Sequence, residues 1–274
     1  MKKSEMNKNV IIIIATHKEY KMPHDSMYLP VHVGAEGKDI ELGYAKDNTG
    51  DNISGKNASY CELTGLYWAW KNLDSDFVGL VHYRRHFSLK RKSNNPFDNI
   101  LTSNELIPLT SKYSVFVPKK RKYYIETLYS HYAHTHYSEH LDITKEIISE
   151  RCPEYLESCK KIYNQTSGFM FNMMVMKKDL FSNYCKWLFD ILFELENRIG
   201  DGVKDISFFQ GRFYGRVSEI IFNVWLDYQI KSGKIKSSEI KEIPCIYTEK
   251  IAWGRKIKAF LSAKFGHKKY EGSF

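Results

Sequence analysis

The chain has 274 residues, 43% of them hydrophobic and 27% charged, which is enough for a substantial buried core of ordinary globular composition. Its net charge is +9, yet the stretch from Lys250 to Phe274 alone holds seven Lys/Arg and a single acid, so the rest is only mildly basic. That placement argues against a nucleic-acid groove running across the whole domain, and no nucleic-acid motif is present.

The cysteines Cys61, Cys152, Cys159, Cys185 and Cys245 are odd in number and show no CxxC spacing. Neither a disulfide framework nor a zinc motif is indicated, and a reducing cytoplasm suits them best. Nineteen tyrosines beside 16 phenylalanines suit either an aromatic core or a surface that grips a flat sugar or base.

Along the chain, "VIIIIA" (residues 10–15) reads as a fully buried strand. It is too short for a signal-peptide core, and no stretch approaches the roughly 20 apolar residues of a membrane span, so a soluble or peripheral protein is expected. Residues 21–56, rich in Pro, Gly, Asp and Asn, read as a long loop region. A helix follows: Ser59 and Glu62 spell an S-x-x-E capping box, with Leu63, Leu66, Tyr67 and Trp70 on one face. Residues 77–81 predict a strand, as does "YSVFVPKK" (113–120), while 123–162 read as helical, broken before Pro153. "GFMFNMMVMKKDLF" begins as a strand and passes into a long helix over 178–198. Another helix is predicted over 217–231, with Ile220, Ile221, Val224 and Trp225 buried. Alternating strands and helices predict one α/β domain, residues 1–249, whose mostly parallel central sheet is flanked by helices. Residues 250–274 predict a separate basic amphipathic helix.

Ligands of open α/β sheets sit beyond the carboxyl ends of the strands. At the first strand end, Thr16, His17 and Lys18 offer a hydroxyl, an imidazole and an ammonium to a nucleotide or phosphate. Neither GxGxxG nor GxxxxGK[ST] occurs. The strand 77–81 runs straight into His82, Tyr83, Arg84, Arg85 and His86. A guanidinium is a planar fork of donors suited to phosphate oxygens. Adjacent residues of an extended segment point opposite ways, so one arginine is expected to face the ligand while the other pairs with an acid. In "HYAHTHYSEH" (131–140), His136 and His140 stand at helical i, i+4 spacing beside Glu139, but no HExxH occurs and a polar cleft wall is the better expectation. Glu219 falls in the first turn of its predicted helix, where an acid either stabilises the helix start or is poised as a general base.

Together, "DNTGDNISGKNASYCELTGLYWAWKN", "FVGLVHYRRHF", "FNMMVMKK" and "GRVSEIIFNVWL" resemble the capsular and exopolysaccharide biosynthesis glycosyltransferase domains of bacteria, a family that includes galactofuranosyltransferases. The resemblance covers Ile11 to Trp225 and implies a GT-A-like fold that binds a nucleotide sugar along its strand ends. Such enzymes usually carry an Asp-x-Asp metal site where this chain has "HYRRH", so no metal is expected and Arg84 and Arg85 are expected to meet the diphosphate. The resemblance further implies donor contacts from Thr16, His17, Lys18, Lys56, Asn57, His82, Tyr83 and Asn172, with Glu219 as the catalytic carboxylate of an inverting displacement. The implied reaction moves a hexosyl group, galactofuranosyl included, from a UDP-sugar to a growing capsular, exopolysaccharide or O-antigen glycan, with no resident cofactor. A lipid-linked acceptor would place the protein at the inner face of the cytoplasmic membrane, held to anionic lipid by its tail. The rival reading is a non-catalytic carbohydrate-binding domain of the same fold.

Overall fold

Short β-branched runs build the sheet. The computed structural model describes residues 8–89, 93–200 and 207–249. Its strands are β1 (Val10–Thr16), β2 (Tyr28–His32), β3 (Ala45–Lys46), β4 (Phe77–His82), β5 (Arg85–Phe87), β6 (Val115–Pro118), β7 (Arg121–Lys122), β8 (Ser167–Gly168), β9 (Met174–Lys177), β10 (Ile240–Ile243) and β11 (Cys245–Tyr247). The α-helices are α1 (Asn57–Tyr60), α2 (Leu63–Asn72), α3 (Ser103–Leu106), α4 (Leu128–Thr135), α5 (Glu139–Arg151), α6 (Leu156–Tyr163), α7 (Lys178–Ile199) and α8 (Phe213–Lys231). The chain divides into two compact units. The first holds the described residues up to Lys119 together with Phe171–Cys185 and Ile235–Glu249; the second holds Lys120–Met170 and Lys186–Lys234.

The first unit is built on a sheet of order β10-β6-β9-β4-β1-β2-β3, with β5 pairing to β4 and β11 beside it. β1 runs parallel to β2 and β4, β2 to β3, and β6 to β10, while β9 lies antiparallel between β4 and β6. The expected α/β fold with a mostly parallel sheet is therefore present. β1 and β4 are apolar on nearly every residue, as strands covered on both faces must be. Gly79 lets β9 come close: a Cβ there would lie 2.7 Å from Val175 Cγ2 and 2.8 Å from the Met174 carbonyl oxygen. One apolar cluster joins Ile12, Ile14, Phe77, Val81, Phe87, Phe116 and Val175, each at most 2% exposed; on that scale of burial each side chain contributes roughly 1.5–3 kcal/mol.

Several expectations need correction. Residues 21–56 are not all loop, because β2 and β3 extend the sheet. Pro30 obscures β2 in the sequence, yet it is tolerated because β3 pairs only with Val31 and His32, beyond the missing N–H. The Ser59–Glu62 capping box does not form. Cys61 takes φ 54°, which ends α1 and starts α2 afresh, and the Ser59 hydroxyl turns back to the Lys56 carbonyl at 3.3 Å. The sequence patterns do not predict strands β5, β10 and β11.

In the second unit, α4, α5, α6, α8 and α7 from Lys186 onward supply the helices, with β7 and β8 as a short antiparallel pair. The predicted interruption before Pro153 is present, as a 3-10 turn over Pro153–Tyr155 between α5 and α6. Ile220, Ile221, Val224 and Trp225 are all buried as expected. However, α8 begins at Phe213, fed directly by a 3-10 turn at Gln210–Arg212, so Glu219 stands almost two turns inside the helix rather than in its first turn. His136 and His140 do not share a helix: His136 ends α4 in an extended conformation and His140 lies in α5. The predicted tail helix, residues 250–274, lies outside the described residues.

Candidate active site

Because β1, β2 and β4 are parallel, their carboxyl ends share one edge of the sheet, and the antiparallel β9 begins at that same edge. Thr16 closes β1 with a tight turn: its hydroxyl donates to the Lys18 carbonyl (2.7 Å) and accepts from the Lys18 N–H (3.3 Å). That buried hydroxyl shapes the loop that carries His17 and Lys18, both exposed. Both reach Tyr83, the first residue after β4. The His17 ring meets Tyr83 edge-on at 5.6 Å between centroids, and Lys18 Nζ stands 5.3 Å from the ring centre. Tyr20 packs on the same ring at 5.0 Å. Buried Tyr83 thus gathers the two predicted groups, at the ends of β1 and β4, into one patch.

The two arginines part company, but not as neighbours on one extended strand: Tyr83 and Arg84 form the two-residue turn that joins β4 to β5, and Arg85 opens β5. Arg84 is exposed, lies beside Tyr83 and pairs with Glu249 at 3.4 Å. Arg85 turns the other way, and its guanidinium carbon stands 3.7 Å from the Phe171 ring centre and 4.8 Å from that of Tyr247, its cross-strand neighbour. Arg85 Nε is buried without a hydrogen-bond partner, and no acid among the described residues pairs with this side chain. A cation held by two aromatic faces keeps its hydrogen-bonding edge uncommitted.

Phe171 and Asn172 form the floor of this arrangement, both in the left-handed region with φ of 80° and 51°. A bulky aromatic there is strained by about 1–3 kcal/mol, and such strain gathers at functional sites. His82 Nε2 lies 2.6 Å from the Phe171 carbonyl oxygen. A carbonyl only accepts, so Nε2 carries the proton and Nδ1 of the neutral ring is the acceptor. Burial holds the His82 imidazole below its ordinary value; Arg85 pushes the same way, while Glu62 opposes. Buried Asn172 donates through Nδ2 to Glu62 Oε1 at 2.7 Å, so Glu62 positions the strained turn instead of capping a helix.

Asn57 belongs to a neighbouring cluster at the end of β2. Its Nδ2 donates to the Cys61 carbonyl (2.7 Å) and to Thr64 Oγ1 (3.1 Å). Gly34, at φ 67°, leaves room for it, since a Cβ there would fall 2.4 Å from the Asn57 side chain. Beside it, Asp47 is fully buried and accepts from the Gly34 and Ala35 N–H groups (2.8 and 3.0 Å), from Ser54 Oγ and from Thr64 Oγ1 (2.6 Å). Lys56 stands exposed on the 3-10 turn of this loop.

In the second unit, Glu219 is half-buried. Its carbonyl accepts from Asn223 Nδ2 at 2.8 Å, and the Asn223 amide pairs with both backbone groups of Phe169, accepting at 2.7 Å and donating at 2.9 Å. The His-rich segment is not a cleft wall at His136 and His140. His136 is buried against Gln210 (Nδ1 to Oε1, 2.9 Å), and His140 stacks on Phe213 at 3.8 Å, with burial driving their pKa values down to about 3 and about 4. Among the described residues no three His, Cys, Asp or Glu side chains form a metal-ligating group.

A family model, Domain of unknown function (DUF4422), matches residues 11–230. The chain belongs to this family. No curated protein matches it. Among solved structures, its fold matches that of the bifunctional glycosyltransferase WbbM in the apo state, with a TM-score of 0.81 and 30% sequence identity over 88% of this chain. The match takes in 46% of that protein, so the chain spans about half its length. The expected GT-A-like fold class holds.

Sequence reading missed Phe171, Tyr247 and Asn223. Neither Phe171 nor Tyr247 carries a signal, because only the fold brings their rings to Arg85. Asn223 closes the "SEIIFN" segment that had drawn attention to Glu219.

Proposed function

We propose that this member of the DUF4422 family is a glycosyltransferase. It transfers a hexosyl group, galactofuranosyl included, from a UDP-sugar to a growing capsular, exopolysaccharide or O-antigen glycan. The observation that carries the reading is Arg85: a guanidinium held against two rings, without an acid partner among the described residues, at the sheet edge where α/β folds bind their ligands. The likeness to WbbM supports glycosyl transfer as the reaction class.

In the proposed step an acceptor hydroxyl attacks the anomeric carbon, its proton passes to Glu219, and the bond from that carbon to the diphosphate oxygen breaks with inversion. Arg85 meets the charge that grows on the departing diphosphate, the task a cation performs best in a partly desolvated site. Thr16 sets the loop from which His17 and Lys18 contact the nucleotide. Tyr83, Arg84, Lys56 and Asn57 line the donor side, while His82 and Asn172 hold the turn beneath the sugar. A lipid-linked acceptor and contact between the basic tail and the inner membrane face complete the proposal; no helix among the described residues is long and apolar enough to cross a membrane.

A panel of nucleotide sugars, UDP-galactofuranose among them, read out by release of nucleoside diphosphate in the presence of glycan acceptor, tests the reading. Release with at least one UDP-sugar is expected, undiminished by excess EDTA. Glycan binding without release from any donor would leave a carbohydrate-binding domain. Loss in EDTA with rescue by manganese would show that a metal, not Arg85, carries the charge.

A further inference from the structure

The second unit exposes a feature that glycosyl transfer does not use. Residues 120–125 read Lys-Arg-Lys-Tyr-Tyr-Ile, with a further lysine, Lys119, preceding them. Lys120 and Lys122 are exposed, and no acid among the described residues pairs with either of them or with Arg121. The nearest acid in sequence, Glu126, is buried and already engaged: its two oxygens lie 2.7 Å from His131 Nδ1 and 2.7 Å from His134 Nδ1. At the tip, Tyr124 is 81% exposed and Ile125 70%, among the largest apolar exposures of the described residues.

This tip is held rigidly. β7 pairs with β8, the Tyr123 N–H donates to the Thr166 carbonyl (2.8 Å), and the Leu128 N–H donates to that of Gln165 (2.7 Å). The Tyr123 ring lies on His131, 4.3 Å between centroids. Between these anchors the Ile125 N–H donates to the Tyr123 carbonyl at 2.7 Å, closing a three-residue turn around Tyr124 at φ 59°. Glycine is the easy residue at such a φ, yet the chain places a tyrosine there and aims it, with isoleucine, at solvent. Stability alone does not account for it. A ring with an apolar body and a polar tip, flanked by unneutralised cations, has the chemistry of a membrane interface.

We propose that Lys120–Ile125 is a membrane-docking element, with its cations on anionic headgroups and Tyr124 and Ile125 inserted at the level of the acyl boundary. The charge complementarity selects an anionic bilayer, and the apolar tip adds insertion to attraction. This contact is separate from the basic tail and does not depend on the proposed chemistry.

The test is co-sedimentation of the full-length chain with vesicles of phosphatidylglycerol and phosphatidylcholine, against phosphatidylcholine alone. The Lys120→Gln/Lys122→Gln variant should bind the anionic vesicles roughly 25-fold more weakly, about fivefold per cation. Arg121 is left in place because it packs 4.8 Å from the Tyr123 ring centre; Lys120 Nζ stands 5.0 Å from that of Phe169, so the urea midpoint of the double variant is measured alongside and should match the wild type. Tyr124→Gly/Ile125→Ser, which relaxes the backbone and therefore keeps the fold, should lose binding by at least tenfold on the scale of an interfacial apolar pair. Tryptophan at position 124 (Tyr124→Trp) should be quenched by brominated acyl chains beyond the parent's own signal. Wild-type binding within twofold in both double variants, no binding by the wild type, or no added quenching would overturn the proposal and turn the tip over to a protein partner. Truncation after Glu249 tests the tail separately, and no arm requires a sugar donor, so glycosyl transfer stands or falls independently.

Discussion

Replacing Arg85 by alanine separates a guanidinium that binds substrate from one that merely packs. The stack on Phe171 at 3.7 Å is worth about 0.5–2 kcal/mol to the fold. Against this, the buried Nε without a partner costs about 1–3 kcal/mol, a penalty that disappears with the side chain. The two nearly cancel, so Arg85→Ala should leave the urea midpoint almost unchanged. Turnover should behave differently: loss of a charge-assisted donor to a departing diphosphate costs about 2.7–4 kcal/mol, or 10²–10³ in kcat. Arg85→Lys should not restore it, because an ammonium lacks the planar fork and cannot lie flat between two rings. Arg84→Ala is the control. Its partner Glu249 is 3.4 Å away and both side chains are largely exposed, a pairing worth at most about 1 kcal/mol. The assay is initial-rate diphosphate release at saturating donor, with the urea midpoint measured in parallel. A kcat for Arg85→Ala within threefold of wild type, or an equal loss in Arg84→Ala, would refute the assignment.

Three further outcomes are expected. Glu219→Gln keeps size and removes basicity, so turnover should fall by roughly 10²–10⁴ with donor binding little changed; near wild-type rates would leave Glu219 a helix residue only. Asp47→Ala orphans the buried Gly34 and Ala35 N–H groups along with two hydroxyls, so urea unfolding should show a loss of about 3–5 kcal/mol, and a loss below about 1 would contradict the hub role. His86, His136 and His140 are buried with pKa values lowered to about 4, 3 and 4, whereas in the unfolded chain they titrate near 6.5. Between those limits the unfolded state binds more protons, so stability falls as pH falls, by about 1.5 kcal/mol for each histidine from pH 6.5 to 5; a urea midpoint unchanged over that interval would be incompatible with neutral, buried rings.

How far the sequence speaks depends on what each residue needs from its neighbours. β1 and β4 are visible because a strand covered on both faces must be apolar throughout, and α2 because its buried positions recur with helical period. β2 is hidden by Pro30, whose tolerance depends on where β3 stops pairing, a fact of register rather than of local composition. Arg84 pairs with an acid as expected, but its direction comes from the Tyr83–Arg84 hairpin turn between β4 and β5, not from an extended segment. What holds Arg85 does not follow, since Phe171 and Tyr247 lie 86 and 162 positions away in the chain. Glu219 was marked by an apparent helix start that does not exist, because the turn at Gln210–Arg212 carries the helix back to Phe213.

The strained pair Phe171–Asn172 explains why this site has the composition it does. Two consecutive left-handed residues cost roughly 1–3 kcal/mol each, so something must offset them. Three interactions do so, each from a different part of the first unit. His82 donates to the Phe171 carbonyl, Glu62 accepts from Asn172, and Arg85 covers the Phe171 ring. Each also needs a particular chemical state. Protonated His82 would put a second cation beside Arg85, and burial already resists that charge. Glu62 must keep an acceptor toward Asn172, and Arg85 must keep its ring face without surrendering its hydrogen-bonding edge. An Asp-x-Asp motif within the His82–His86 segment, with an acid at position 85, would supply neither the stacking on Phe171 nor a donor edge. The backbone of this turn and the cation above it are therefore one design, in which the arginine stabilises the conformation that presents it.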